Sequence, residues 1–595
     1  MNTNQERNTA QAAGVRRMEE LIRLLEALRG YGKQEGNPIG YAMMETLKEW
    51  AEEYIDALDE EREACGEEDV LPLKKEMQMR MVPLGGFFED ADYLEFYIDV
   101  FRDEEVRKYV KEKNFYRRHR LQKFSYKKLH QRIAKRIFEN IAHNRIKVYV
   151  QLGHNDAAIS GRSLIAEDEN ELDGYIRLSL ISEEALDYDR SIFAMLRSRD
   201  QQLVSIIRQI YKPYFMEYYV RSDQLTRLES QFVSQPSDAD SAMRGWYSAI
   251  LLEENGNQIG GEGQTYEGVC SFSASPVFYE NRKICIADKR VDNAVMEKIE
   301  STYRRENSTA SDDDIKNAVQ GIFGKEQFQK VRIYRVGNGN CIYCRGTSKR
   351  LLYDIGFDNK TAVREDLASM ESSYTGAFAR IRHILPDCVI LSHWDEDHYK
   401  ACVYARKELY DCLWIAPDFY DAGINAKRLG MYLSSIKKLL LVSRSGEQRL
   451  QISLNPDSRL TLYVGRRSPY ITRQNCEGIA VKIENKADGG WIQCLLMGDV
   501  PYSSLPPEAG FQDENPYDYL VAPHHGSKMK YDLLEMEKEQ SSGTAVICCS
   551  NHPGKNRPAP EHQKLLAACY ARVKTTEQEG DYIEFDLTRK SGAES

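Results

Sequence analysis

Apolar residues recur at helical spacing near the start of the chain. Met18, Leu21, Ile22, Leu25 and Leu28 share one stripe, and Gly30 and Gly32 follow it. That spacing predicts an amphipathic helix that stops at the glycines. A second helix is expected over about 42–64, with Leu47, Trp50, Tyr54 and Leu58 inward, so residues 1–68 read as a helical hairpin. Residues 82–93 read as a loop with a Gly-Gly turn. Alternation and β-branching make "RIKVYVQLG" (145–153) a strand. Residues 183–232 read as mostly helical. "EENGNQIGGEGQTYEG" (253–268) is glycine-rich with short strands expected after it, and "RRENSTASDDD" (304–314) is the best linker candidate, being polar, small and charged. The expected organisation is a hairpin at 1–68, a mixed α+β recognition region at 69–325 and a third domain at 326–595. The N-terminal half as a whole is expected to be mostly helical within a mixed α+β class.

The pattern changes after about residue 328. "RLLYDIGFD" (350–358) is an apolar strand ending in Asp354 and Gly356. "CVILSHWDEDH" (388–398) is another, ending in His393, Asp395, Asp397 and His398. "IAVKIENKADGGWIQCLLMGDV" (479–500) is a hairpin whose second strand ends in Asp499, and "DYLVAPHHGSK" (518–528) ends in His524 and His525. Strand ends and the loops beyond them converge at one edge of a sheet sandwich, so these residues are expected to be neighbours.

Composition narrows the class. The chain has 595 residues, 42% hydrophobic and 29% charged, which suits a globular protein of three or four domains. No stretch approaches the roughly 18 apolar residues of a membrane span, and the polar N-terminus has no apolar signal core. Of thirteen cysteines, ten lie after residue 340, several inside apolar runs. The expectation is a reduced, cytoplasmic protein without a disulfide framework. Cys341 and Cys344 read as two strand cysteines. The net charge of -11 gives no global case for nucleic acid, but its distribution does. Residues 107–136 hold thirteen Lys or Arg against one acid, Glu112, with Phe115, Tyr116, Phe124 and Tyr126 interleaved. Cations there, Arg117, Arg118 and Arg120 among them, would neutralise phosphates, and the rings would stack on unpaired bases. A solvated helix face with core aromatics accounts for the same segment equally well.

The clustered ligands point to metal chemistry. His393 and Asp395, two apart on a loop, can face one ion; Asp397 and His398 can face a second; Asp499 can bridge the two; His525 or His524 closes the second site. Zn²⁺ takes imidazole and carboxylate ligands, and a metal pair can hold a phosphoryl group during in-line attack.

The same residues carry a family resemblance. "HWDEDH" resembles the H-x-[HD]-x-D-H signature of the metallo-β-lactamase fold hydrolases. Residues 328–595 are most similar to the soluble domain of the ComEC-type competence DNA-uptake proteins, through "RVGNGNC", "LLYDIG", "LSHWDEDH" and "LLMGDV…YLVAPHHGSK" in that order. The resemblance implies an α/β fold, an αββα sandwich with the metal site at one rim. It implies one or two Zn²⁺ ions, with Mn²⁺ the alternative, held by His393, Asp395, Asp397, His398, Asp499, His524 and His525. Asp397, His525 and Lys528 would be catalytic. Asp354, Gly337, Gly339 and Asn340 would support the site, Asp354 by hydrogen-bonding the metal loop. The chain departs from the pattern in having no histidine between His398 and His524, so water or a carboxylate such as Asp418 would complete the first site. Arg557, beside Asn556, stands where a histidine is usual and would contact substrate phosphate.

The function expected is a metal-dependent hydrolase, a phosphodiesterase or nuclease acting on nucleic acid or a nucleotide. Its N-terminal half would recognise substrate or a protein partner, an architecture that suits an effector of bacterial phage defence. The alternatives are a non-catalytic scaffold that binds a protein partner and a hydrolase of small thioesters or lactones.

Overall fold

The computed structural model describes residues 146–152, 171–172, 175–197, 204, 208, 211–224, 227–228, 246–253, 263–273, 277–305, 309–337, 339–357, 381, 384–403, 405–419, 422–443, 448–466, 476–487, 490–509, 517–527, 541–549 and 558–588. The expected hairpin at 1–68 and the basic segment 107–136 lie outside these residues.

The first body contains β1 (Ile146–Leu152), β2 (Glu171–Leu172), β3 (Tyr175–Ser182), α1 (Glu183–Leu196), β4 (Phe215–Arg221), β5 (Trp246–Glu253), β6 (Gln264–Ser273) and β7 (Val277–Arg290). The strand order is β1-β5-β7-β6-β4-β3-β2, with β1 also paired to β3. All these pairings are antiparallel. Six strands thus close into a ring, and β2 extends β3 beyond it. Closure leaves the ring strands without the unpaired edge that invites association. The helical reading of 183–232 holds for α1 and at 204, 208 and 227–228, but "FMEYYVR" between them is strand β4, as its aromatic and β-branched residues favour. The strands after the glycine-rich stretch are long, β7 spanning 14 residues. The described part of the N-terminal half is therefore sheet-rich.

Next come α2 (Asn293–Tyr303) and α3 (Asp312–Phe323). The expected linker at 304–314 ends inside α3. Ser311 caps this helix, Ser311 and Asp314 exchange a capping box, and three aspartates occupy its first turn. Acids there satisfy amide donors and oppose the helix dipole, so a stretch that reads as linker by composition starts a helix instead.

Two further sheets follow. One is built from β8 (Lys330–Tyr334), β9 (Cys341–Arg345), β10 (Arg350–Ile355), β11 (Cys388–Ile390), β12 (Leu413–Pro417), β13 (Leu439–Val442) and, from the chain's end, β21 (Tyr582–Asp586). The other is built from β14 (Arg449–Asn455), β15 (Ser458–Val464), β16 (Ile479–Ala487), β17 (Gly490–Leu496), β18 (Tyr519–Val521), β19 (Ser541–Ile547) and β20 (Tyr570–Thr575). Their orders are β13-β12-β11-β10-β9-β8-β21 and β14-β15-β16-β17-β18-β19-β20. Each is antiparallel in one half and parallel in the other. Ile342, Leu351 and Ile390 of the first meet Val481, Leu496 and Val521 of the second in one buried core. Cys344 lies in that core and Cys341 in the cluster on the opposite face of β9, so the two thiols are separate packing residues. Helix α5 (Ile424–Ser435) packs outside the first sheet with the ring and α1, and α6 (Pro560–Cys569) outside the second. Parallel strands covered on both faces are largely apolar, so their polar residues fall at or past the C-terminal ends. There β10, β11, β17 and β18 deliver Asp354, His393, Asp499 and the two histidines of the Pro523–Gly526 turn.

Candidate metal centre

The loop after β11 begins at Ser392, passes His393 and Asp395, and enters a single helical turn, α4 (Glu396–Tyr399). Backbone bonds fix its path. Ser392 O accepts from Ile479 N at 2.8 Å, and Asp397 O accepts from Asn340 N at 3.0 Å. Gly356 touches the loop so closely that a Cβ there would stand 1.5 Å from Asp397 O. Gly337 and Gly339, expected to support the site, lie alongside. Gly337 has φ 71°, and a Cβ on Gly339 would meet the Phe357 backbone at 2.7 Å. Opposite, Gly498 has φ 56° and precedes Asp499, and its carbonyl accepts from His524 N at 3.0 Å.

Asp499 stands at the centre. Its Oδ1 lies 3.1 Å from His398 Nε2 and 3.7 Å from His525 Nε2, and Asp397 Oδ2 lies 3.3 Å from His525 Nε2. Its Oδ2 lies 4.0 Å from His393 Nε2 and 3.8 Å from His524 Nε2, and Asp395 Oδ2 lies 3.2 Å from His393 Nε2. The two carboxylate oxygens thus sort the other six candidate ligand residues into two sets: His393, Asp395 and His524 on one side, Asp397, His398 and His525 on the other. By mutual distance alone His398 also groups with His393 and Asp499, within 4.8 Å. Its closest approach is to Oδ1, which places it with Asp397. His524 and His525 are adjacent yet face different sets, because both adopt left-handed backbone, with φ 48° and 54°. That conformation is uncommon outside glycine.

The remaining ring nitrogens are committed. His398 Nδ1 is 2.8 Å from Asp354 Oδ2, Ser392 Oγ is 3.0 Å from His393 Nδ1, and His525 Nδ1 is 3.0 Å from the Cys548 carbonyl. An N–H at Nδ1 in each case leaves the Nε2 lone pair directed at Asp499. Asp354, fully buried with φ 57°, also accepts from the Ser392 amide at 2.6 Å and the Ser392 hydroxyl at 2.8 Å. Carboxylates and carbonyls behind histidines are how metal sites fix tautomer and ring orientation. Asp354 therefore holds the loop rather than joining the ligand sets. Ser392 was not foreseen; the only signal was a small polar residue between the apolar strand and His393.

These groups suit a divalent cation. His393 Nε2, His398 Nε2, His525 Nε2 and Asp499 Oδ1 are buried and make no hydrogen bond among the described residues. Buried polar atoms normally find a partner. Two ligands about 2.0–2.1 Å from an ion at the tetrahedral angle stand about 3.3 Å apart, and the spacings above bracket that value. The electrostatics agree. Burial alone would raise the Asp499 carboxyl, but His398, His525 and His524 hold it well below the carboxylate range. Asp397 is likewise held low against its burial by His398 and His525. Burial disfavours charge on His398, yet Asp499, Asp354 and Asp397 drive its affinity for a proton well up. The cluster favours positive charge at its centre, and a divalent ion would supply it. Mixed imidazole and carboxylate donors suit Zn²⁺ or Mn²⁺.

Asp418 does not join the ligand sets. It pairs with Arg305 at 3.2 Å. His562 donates from Nδ1 to Ser527 O at 3.1 Å and lies 3.0 Å from the Tyr502 hydroxyl at Nε2; burial pushes it down to about 4, so it stays neutral. Lys528, Asn556, Arg557, Arg117, Arg118 and Arg120 lie outside the described residues.

No family model matches the chain, and no curated protein matches it significantly. Solved structures do match. A protein of Parabacteroides distasonis, named as a metal-dependent hydrolase, aligns over 42% of this chain and 94% of its own at 12% identity and TM-score 0.25. A metal-dependent hydrolase of the beta-lactamase superfamily aligns over 44% and 100% at 10% identity and TM-score 0.24. A mutant of the CmlA beta-hydroxylase aligns over 68% and 83% at 11% identity and TM-score 0.26. At such scores the likenesses decide nothing about chemistry, which rests on the geometry of the site. Among the described residues no helix is long and apolar enough to cross a membrane.

Proposed function

We propose that the chain is a metal-dependent hydrolase whose centre holds two divalent ions, Zn²⁺ or Mn²⁺, on either side of Asp499. The observation that carries this reading is the division of ligands by the two oxygens of one buried carboxylate. His393, Asp395 and His524 would hold one ion, and Asp397, His398 and His525 the other. His524 then does the work for which the sequence offers no histidine between His398 and His524. A bound pair of ions supplies Lewis acidity toward a water and toward an acyl or phosphoryl oxygen. The chain's own part is to orient. Asp395, Asp397 and His524 keep 29%, 21% and 15% of their side chains exposed while Asp499 keeps 4%, so the open side of the site is lined by these three residues. Asp397, held ionised, accepts a hydrogen bond from the attacking water and fixes its direction. Substrate enters over that face.

The substrate class we favour is a phosphodiester, in nucleic acid or a nucleotide. The support is the basic, aromatic-rich segment 107–136 in an otherwise acidic chain. Asp397→Asn tests the reading, since it keeps shape but removes the charge. Its rate should fall about a hundred- to a thousand-fold, about 2.7–4 kcal/mol, by analogy with loss of one transition-state donor. The assay compares a generic phosphodiester, single- and double-stranded nucleic acid and a thioester, with Zn²⁺ and with Mn²⁺. Turnover of the thioester alone would leave the hydrolase and remove the phosphodiester. Wild type inert on all of them would favour a scaffold.

A further inference from the structure

Strand β4 of the N-terminal ring lies against the metal loop. Its side chains alternate between faces. Tyr218 points one way, and its hydroxyl donates to the carbonyls of Tyr266 and Arg282 on neighbouring ring strands, at 3.1 and 2.7 Å. Phe215, Glu217 and Tyr219 point the other way, into the turn that carries Asp397 and His398. Phe215 meets Tyr399 edge-on at 5.4 Å. Glu217 Oε2 accepts from Lys400 Nζ at 2.6 Å and from the Tyr219 hydroxyl at 2.7 Å. Lys400 Nζ also stands 3.6 Å from Glu396 Oε2. Asn425 of α5 donates to Glu396 Oε1 at 3.2 Å, and its carbonyl oxygen accepts from the Met216 amide at 3.1 Å.

Glu396 and Lys400 are the two ends of one helical turn, and both are tied back to residues 216 and 217 of β4. Asp397 and His398 lie between them. Glu217 and Lys400 are 1% and 2% exposed. Apolar side chains would cover the same contact without burying charge; what the charges add is a fixed register between strand and turn. We infer that Glu217 and Lys400 are positioning residues for the metal centre, through which the N-terminal ring forms part of its support. The inference rests on the metal reading proposed above.

The test is a Co²⁺ titration of the full chain after removal of metal, followed by visible absorption, which reports ligand geometry as well as affinity. Two variants are compared with wild type. Glu217→Gln keeps shape and an accepting oxygen. Glu217→Gln with Lys400→Met removes both charges of the pair, while Glu396 keeps its Asn425 donor. Loss of partners behind metal ligands typically costs about ten- to a hundred-fold in metal affinity. That loss, with a shifted absorption band, is expected in a variant whose metal-free melting temperature stays near that of wild type. A folded variant with wild-type affinity and spectrum overturns the inference. So does failure of both variants to fold, because the cluster would then be a folding element. Wild type that takes up no Co²⁺ removes the metal reading itself, and the inference with it.

Discussion

Asp354 occupies a backbone conformation that costs a non-glycine residue about 1–3 kcal/mol. Its carboxylate offsets this by receiving the Ser392 amide, the Ser392 hydroxyl and His398 Nδ1. Asn in its place offers one accepting oxygen and would turn an N–H toward one of these groups. Asp354→Asn should therefore fold but bind Zn²⁺ about ten- to a hundred-fold more weakly, as measured by competition with a chromophoric chelator. Unchanged affinity would make Asp354 a packing residue. His562 gives a pH prediction of a different kind. Its folded value lies below its ordinary one, about 4 against about 6.5, so it supports the fold fully above pH 6.5 and less as pH falls toward 4. The size is about 3 kcal/mol. Denaturant unfolding of wild type should weaken across that window more than unfolding of His562→Gln, and equal pH dependence would contradict the assignment.

At the scale of elements, the site depends on how closely strand ends approach one another. Gly356 at the end of β10 leaves no room for a side chain beside Asp397 O. Gly356→Ala must push the metal loop away from β10. The expected result is loss of most metal affinity, read by calorimetric titration, in a protein whose far-ultraviolet circular dichroism is unchanged; wild-type affinity would show that the loop tolerates the shift. Much of this level was legible in the sequence. Apolar runs that end in Asp354, His393, Asp499 and His524 are strands, and their polar ends meet. Their partition was not legible. Whether His524 or His525 faces a given ion depends on two consecutive left-handed residues, and no spacing rule reports that. Nor did the local pattern reveal that β4 touches the loop. Glu217 and Lys400 are 183 residues apart, and each alone looks like a surface charge. The helical reading of 183–232 failed at 215–221 for a related reason, since tertiary burial on both faces makes β4 a strand.

Across the whole molecule, two seven-stranded sheets share one core and present their parallel ends to a common rim, while an antiparallel ring braces the outer side of the first sheet. The brace is polar as well as apolar: Arg428 of α5 and Asp189 of α1 pair at 2.6 Å with both side chains fully buried. The two ligand sets stand at that rim, and the central claim is that Asp499 separates two ions there. Counting ions decides it. Metal-stripped wild type and His524→Ala would each be titrated with Zn²⁺ by calorimetry, with bound metal confirmed by elemental analysis. Two ions per chain are predicted for wild type and one for His524→Ala, because the Asp397, His398 and His525 set remains whole. A single ion in both proteins, or none in wild type, would contradict the account.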